Sequence, residues 1–197
     1  VQRDTSSVVG AVLAGGRGRR IGGDKAIVEL EGRPLLDYPL RALLAVLDVV
    51  AVVAKPETAL PALDHRVEVW LEEDEPRHPL AGVVQALRSA QGRPVVVLAG
   101  DMPFVSPALV RALAEAESGG APAVVARGGG GLEPLCARYD PPALDALEDF
   151  DPRTPAREAV AALGPAVLEL EDERELVNVN SPEDLLRAAA RLSAPPR

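Results

Sequence analysis

Val8-Val9-Gly10-Ala11-Val12-Leu13 runs without interruption into Ala14-Gly15-Gly16-Arg17-Gly18-Arg19-Arg20-Ile21-Gly22-Gly23-Asp24-Lys25. The first six residues are apolar or glycine, as in a strand buried on both faces of a parallel sheet. From Leu13 to Lys25, five of thirteen residues are glycine and four are cationic. Glycine lets a loop turn its backbone N–H groups inward and lets a ligand approach closely, and successive inward N–H groups form an anion-binding concavity. The chain has a net charge of −9, yet this segment is cationic. A cationic, glycine-rich loop after a buried strand points to a phosphate-bearing ligand.

The pattern around this stretch predicts the architecture. Val49–Ala54 and Val95–Ala99 are further continuous apolar runs, and Val67–Leu71 reads as a shorter strand before the second helix. Helical periodicity covers Leu35–Val46 and Leu80–Ala90. This βαβ alternation predicts an α/β fold with three layers, a right-handed, doubly wound and mostly parallel sheet of Rossmann-like type. Ser106-Pro107, Thr154-Pro155 and Ser181-Pro182 each read as an N-cap hydroxyl followed by proline at the first helical position. They predict helices over Pro107–Glu117, Pro155–Leu163 and Pro182–Leu192. Strands at Ala123–Arg127, Leu135–Tyr139 and Val167–Leu170 complete the sheet. Gly128–Gly131 reads as a turn between strands or as a flap over a ligand.

Composition removes several function classes. The 197 residues suit one domain, with a nucleotide-binding half over about 8–105, a second half over about 106–192 and a tail at 193–197. A pI near 4.8 argues against general binding to nucleic acid or anionic membrane. Cys136 is the single cysteine, so no internal disulfide forms, as expected of a reducing cytoplasm. Val1-Gln2-Arg3-Asp4 lacks the apolar core of a signal peptide, and no run reaches the roughly 18 apolar residues of a membrane span. A cytoplasmic protein is the expectation. Of 21 basic residues only Lys25 and Lys55 are lysine, so Lys25 marks a place where a compact ammonium is wanted rather than a planar guanidinium.

Asp101 lies just past the carboxyl end of Val95–Ala99, in Gly100-Asp101-Met102-Pro103. Ligands of open parallel sheets bind outside those ends, so the glycine-rich loop and Asp101 are expected to face one cleft. A carboxylate beside phosphates is a natural Mg²⁺ ligand. The P-loop is excluded because Lys25 follows Asp24 and precedes Ala26, and the dinucleotide fingerprint fails at Ile21. His65 and His78 are the only histidines, so no serine or cysteine has an evident base and no zinc cluster is indicated. Cys136 reads as a core residue and His65 as a solvated one.

Leu13-Ala14-Gly15-Gly16, with Arg20 and Asp24-Lys25-Ala26, resembles the signature of nucleotidyltransferases of the nucleotide-diphospho-sugar transferase fold. Within them the chain most resembles the molybdenum cofactor guanylyltransferase family. Pro79-Leu80-Ala81-Gly82, Gly100-Asp101-Met102-Pro103-Phe104, Glu133-Pro134-Leu135-Cys136-Ala137-Arg138-Tyr139 and Val177-Asn178-Val179-Asn180-Ser181-Pro182 follow in that family's order. Sister cytidylyltransferases carry Leu-Ala-Ala-Gly and Gly-Asp-Gln-Pro, so Gly15 and Met102 favour GTP.

The resemblance implies that Leu13, Ala14, Gly15, Gly16 and Gly82 lie at the nucleotide, that Lys25 and Arg20 meet phosphate, and that Asp101 holds Mg²⁺. A nucleotide-contacting acid aligns with Glu72 or Glu73, while a family asparagine is replaced by Val53 and a glycine by His78. Asn178, Asn180 and Pro134 fall on the acceptor side. The implied reaction joins GMP from GTP to molybdopterin, with transient contact to proteins that supply molybdopterin or receive the product. Transfer to another phosphorylated acceptor, cytidylyl transfer, or nucleotide binding without turnover remain alternatives. The implied reaction needs no protein nucleophile, since a phosphate monoester, largely dianionic at pH 7, can attack the α-phosphorus itself. Charge neutralisation and alignment then carry the chemistry.

Overall fold

A computed structural model describes residues 7–15, 17–18 and 23–193, with side chains at 7–15 and 26–193. Strand β1 (Val9–Leu13) is followed by two short ribbons, β2 (Arg17–Gly18) with β3 (Gly23–Asp24), then β4 (Glu29–Leu30) with β5 (Arg33–Pro34). Next come α1 (Asp37–Leu44), β6 (Val49–Ala54), β7 (Val67–Leu71), α2 (Pro79–Ser89), β8 (Val95–Ala99) and α3 (Pro107–Glu115). The chain continues through β9 (Ala123–Gly128), β10 (Gly131–Tyr139), α4 (Ala143–Leu147), α5 (Ala156–Ala162), β11 (Ala166–Glu169) and α6 (Pro182–Leu192).

Seven strands form one sheet in the order β11-β9-β10-β8-β1-β6-β7. β10 runs antiparallel to both neighbours, and every other pair is parallel. Every residue of β1 and β8 is buried, which is why these segments read as unbroken apolar runs rather than alternating ones. Alternate residues serve the two faces. Val12, Val50, Val52, Val96 and Leu98 pack with Leu40 and Leu43 of α1 and Leu109, Val110 and Leu113 of α3. Val9, Ala11, Val95 and Val97 pack with Leu80, Val83, Val84 and Leu87 of α2 and with Tyr139, Leu147 and Val160. A smaller cluster of Leu30, Leu35, Val179 and Ala188 seats α6 against the β4–β5 ribbon. Among the described residues no helix is long and apolar enough to cross a membrane.

The predicted elements occur, with three corrections. First, Ser106 and Ser181 cap their helices by accepting the Leu109 and Asp184 N–H groups (3.1 and 3.2 Å), but Thr154 does not cap α5. Pro155 adopts ψ 137°, outside the helical region, so it occupies the cap position itself and α5 starts one residue later. Second, β10 begins at Gly131 rather than Leu135, and its register with β9 shifts between Glu133 and Ala137. Pro134 falls in that irregularity, where a residue without an N–H costs the ladder nothing. Third, α4 and the β4–β5 ribbon are additional elements. Gly128–Gly131 is the β9–β10 turn, tied down by the Gly129 N–H on Glu173 Oε1 (2.7 Å). Cys136 is fully buried.

The most consequential buried polar group is Arg138 in β10, which has no exposed surface. Its Nη1 donates to the carbonyls of Leu113, Ala114 and Ala116 (2.9, 2.9 and 2.8 Å). Those are orphan acceptors at the C-terminal end of α3, a helix with no basic residue in its last turn. Nε donates to Asp140 Oδ1 at 2.9 Å. Arg138→Leu would strand these carbonyls and remove the ion pair between Arg138 and the buried Asp140. It is expected to lower unfolding free energy by about 3–5 kcal/mol, read as a drop in the urea midpoint at unchanged slope.

Candidate active site

The site is built on the carboxyl ends of β1, β6, β7 and β8. The sheet's connections diverge beside β1, since the chain goes first to β6 on one flank and later to β8 on the other, which is the switch-point crevice of doubly wound folds. The ladder continues past the strand ends. Ala14 N–H donates to Val53 O (2.9 Å), and Gly100 N–H donates to Leu13 O (3.0 Å). Leu13-Ala14-Gly15 is therefore strapped between β6 and β8, and Val53, buried, serves it through its carbonyl rather than its side chain. A Cβ on Gly100 would stand 3.1 Å from Leu13 O, so glycine permits this approach.

Leu13, Ala14, Gly15, Gly100 and Asp101 line a hollow of about 70 Å³, closed below by Leu36 and at one side by Leu135. Such a volume seats the part of a ligand nearest the sheet, not a whole nucleotide. Gly16, Arg20 and the side chain of Lys25 lie outside the described residues. The Lys25 backbone opens a single 3-10 turn, Lys25–Ile27, directly after β3.

Of the two candidate acids, Glu72 and not Glu73 is buried against the glycine loop. Glu73 is exposed, whereas Glu72 is only 9 % exposed. A Cβ on Gly15 would lie 3.1 Å from Glu72 Oε1, and one on Gly82 would lie 3.2 Å from Oε2 and 3.0 Å from Leu13 Cδ1. The carboxylate is thus wedged between the glycine loop and the first turn of α2, with Gly82 supplying room for packing. Burial raises the Glu72 pKa, Lys55 opposes that rise, and Glu57 adds to it. Lys55 Nζ stands 3.6 Å from Glu72 Oε1.

Sequence reasoning singled out Lys25 among the two lysines and missed Lys55. The signal was present in the register, because Ala54 pairs with Leu71 at the end of β6 and β7, so Lys55 and Glu72 follow side by side. His78 replaces a glycine without strain, at φ −137°. Its Nδ1 accepts the Leu80 N–H (3.2 Å), capping α2, and its Nε2 meets Thr154 O (3.1 Å).

On the other side of the hollow, Val179 N–H donates to Asp101 O at 2.9 Å. Val179 is buried, so Asn178 and Asn180 flank the point where this segment is clipped to Asp101. Asn178 is half-buried and Asn180 exposed. Pro134 is buried and its carbonyl accepts the Tyr139 hydroxyl (2.8 Å), so the neighbouring Leu135, not Pro134, reaches the hollow. Burial raises the Glu133 carboxyl above its usual range, with Asp101 among the charges that add to the rise. Met102 is fully buried in the core shared with α1 and α3, so its side chain does not reach a ligand.

A larger hollow of about 410 Å³ lies behind Glu72, but five carboxylates (Glu72, Glu73, Glu75, Glu148, Asp149) line it against one arginine. It suits no phosphate. Among the described residues no group of three or more His, Cys, Asp or Glu side chains could hold a metal ion by itself.

Residues 10–167 match the MobA-like NTP transferase domain. The chain belongs to that family. It is 36 % identical over 191 residues to a probable molybdenum cofactor guanylyltransferase of Thermococcus kodakarensis, covering 91 % of this chain and 93 % of the relative. It is 36 % identical over 179 residues to the molybdenum cofactor guanylyltransferase of Pseudomonas putida, covering 88 % and 93 %. Molybdopterin-guanine dinucleotide biosynthesis protein A from Archaeoglobus fulgidus superposes with a TM-score of 0.74 at 28 % identity, over 94 % of this chain and 98 % of that one. The family makes this chain a nucleotidyltransferase.

The glycine that distinguishes Leu-Ala-Gly-Gly from Leu-Ala-Ala-Gly now has a physical role, because a methyl at Gly15 would press on Glu72 Oε1. Gly15→Ala is expected to weaken GTP binding about five- to tenfold, the scale of mild overpacking, with little change in melting temperature. Titration calorimetry and a thermal melt on the same protein check both halves.

Proposed function

We propose that this nucleotidyltransferase moves the GMP group of GTP onto the terminal phosphate of molybdopterin, giving the guanine dinucleotide form of the molybdenum cofactor and pyrophosphate. The observation that carries the reading is the meeting, at one sheet edge, of Leu13–Gly15, Glu72, Asp101 and the Asn178-Val179-Asn180 segment. Relatives named for this activity, covering about nine-tenths of the chain, support it.

Each part of the site has one task in the reaction. The Leu13–Gly15 backbone and the acceptor-only carboxylate of Glu72 receive the guanine, whose N1–H and N2–H groups are donors. The cationic segment containing Arg20 and Lys25 holds the triphosphate. Asn178 and Asn180 orient the acceptor phosphate, whose oxygen attacks the α-phosphorus. The bond between the α-phosphorus and its bridging oxygen breaks, and the electron pair leaves with pyrophosphate. The acceptor is already anionic, so no protein base is required.

Asp101 fits a Mg²⁺ site by its donor chemistry: one half-buried carboxylate beside a phosphate seat matches an ion that takes one or two carboxylates and completes its shell with phosphate oxygens and water. Mg²⁺ held there by Asp101 would neutralise charge developing on the phosphates. Glu133 adds negative potential near Asp101.

Calorimetry with GTP, CTP and UTP in Mg²⁺ is expected to give tightest binding for GTP, and tighter CTP binding would overturn the base assignment. Asp101→Ala and Lys25→Ala are each expected to lower pyrophosphate release by about a hundredfold or more while the circular dichroism spectrum stays native. Retained activity in either variant removes that residue from the mechanism.

A further inference from the structure

Lys55 has no place in the reaction as described, yet it is one of only two lysines in a chain that otherwise uses arginine. Its side chain is 13 % exposed, which is costly for an ammonium without a partner. It spends its donors on two groups, the Glu72 carboxylate at 3.6 Å and the backbone carbonyl of Glu73. Both follow β7 directly, and Glu72 N–H is itself bonded to Ala54 O at 3.0 Å. The end of β6 therefore grips the Glu72-Glu73 step by backbone and by side chain. Glu72 Oε1, the oxygen nearest Lys55, is also the one against Gly15.

We propose that Lys55 is a positioning residue for base selection, fixing the Glu72 carboxylate, ionised, between Gly15 and Gly82 as the acceptor that reads guanine. The inference rests on the guanylyl reading above and names a residue that acts through Glu72 rather than on the nucleotide. Without the ammonium, burial and the neighbouring Glu57 disfavour the charged form, and nothing draws Oε1 toward β6. A neutral or displaced carboxyl loses its preference for a base edge made of donors. The phosphate half of the ligand, held at the other end of the loop, is untouched.

The test compares GTP, CTP and inorganic tripolyphosphate by calorimetry in Mg²⁺ on wild type, Lys55→Met, Lys55→Gln, Glu72→Gln and the Lys55→Met/Glu72→Gln double variant. Loss of the ion pair that holds Glu72 predicts that Lys55→Met weakens GTP about tenfold or more and tripolyphosphate by less than about twofold. Lys55→Gln keeps a donor for the Glu73 carbonyl but no charge, and is expected to behave the same way. It also carries the test should Lys55→Met not fold. In the Glu72→Gln background, Lys55→Met is expected to cost less than about twofold further, since the two residues act as one unit. Equal losses for GTP and tripolyphosphate, additive losses in the double variant, or GTP affinity unchanged in Lys55→Met would each overturn the proposal. A wild type that does not prefer GTP over CTP would instead overturn the guanylyl reading, and the role of Lys55 with it. A wild type with that preference, retained in Lys55→Met, leaves the guanylyl reading standing and removes Lys55 alone.

Discussion

The hydrogen-bond ladder that holds β1 between β6 and β8 is the constraint on which the site depends. It does not stop at the strand ends. Ala14 continues it toward Val53, and Gly100 continues it toward Leu13, so the first two residues of the glycine loop are as firmly registered as the strand itself. A buried strand must satisfy every backbone donor and acceptor, and here that requirement sets the position of the loop. Asp101 inherits the same register through Gly100, and Glu72 inherits it from the other flank through Ala54. Two side-chain positions, Glu72 after β7 and Asp101 after β8, are thus fixed relative to one loop by backbone bonds.

The second half of the chain is secured differently. α3 carries the chain to β9, parallel to β8 but one position out, and β10 returns antiparallel between them; the C-terminal carbonyls of α3 end inside the protein. Arg138 satisfies them while Asp140 balances its charge. A fully buried guanidinium is tolerable only with this many acceptors. The Asn178–Asn180 segment is then clipped on by a backbone bond, Val179 to Asp101. Val179 anchors in the cluster beneath α6, with Asn178 half-buried and Asn180 exposed on either side of it.

Much of this was legible in the sequence. Val49–Ala54 and Val95–Ala99 form as read, because burial on both faces leaves an unmistakable apolar run, and Val67–Leu71 forms as read at the sheet edge, half-buried to exposed. The Ser106 and Ser181 caps were legible for a local reason, a hydroxyl followed by proline. Thr154 carries the same local signal, but Pro155 takes an extended ψ and the helix start moves. The β4–β5 ribbon went unread although Glu31-Gly32 are a turn pair, both at positive φ (51° and 72°). The direction of β10 was also written in the chain, since the seven residues between the expected strands Ala123–Arg127 and Leu135–Tyr139 are too few for a parallel crossover. The choice between Glu72 and Glu73 was not legible, because it turns on which of two adjacent residues faces inward after the last ladder pair. Nor was Lys55, whose partner is distant in sequence and adjacent only through the β6–β7 register.

Charge decides how a nucleotide can lie in such a cleft. The chain is acidic overall, and a triphosphate approaching it meets repulsion at long range that only local cations can reverse. The loop from Leu13 to Lys25 is a cationic stretch of the sequence, while the acid-lined hollow behind Glu72 and the Glu133–Asp101 pair bound it with negative potential. A nucleotide placed backwards would set its phosphates against Glu72, a group already raised by burial. Placed forwards, it sets a base edge there. Guanine offers that edge two donors from adjacent atoms, which a carboxylate can accept together. Cytosine offers one donor beside acceptors, and those acceptors would face an oxygen with no proton to give. In the proposed reaction, orientation and base choice are therefore two consequences of one ionised carboxylate, and the size of both depends on how firmly that charge is held in place.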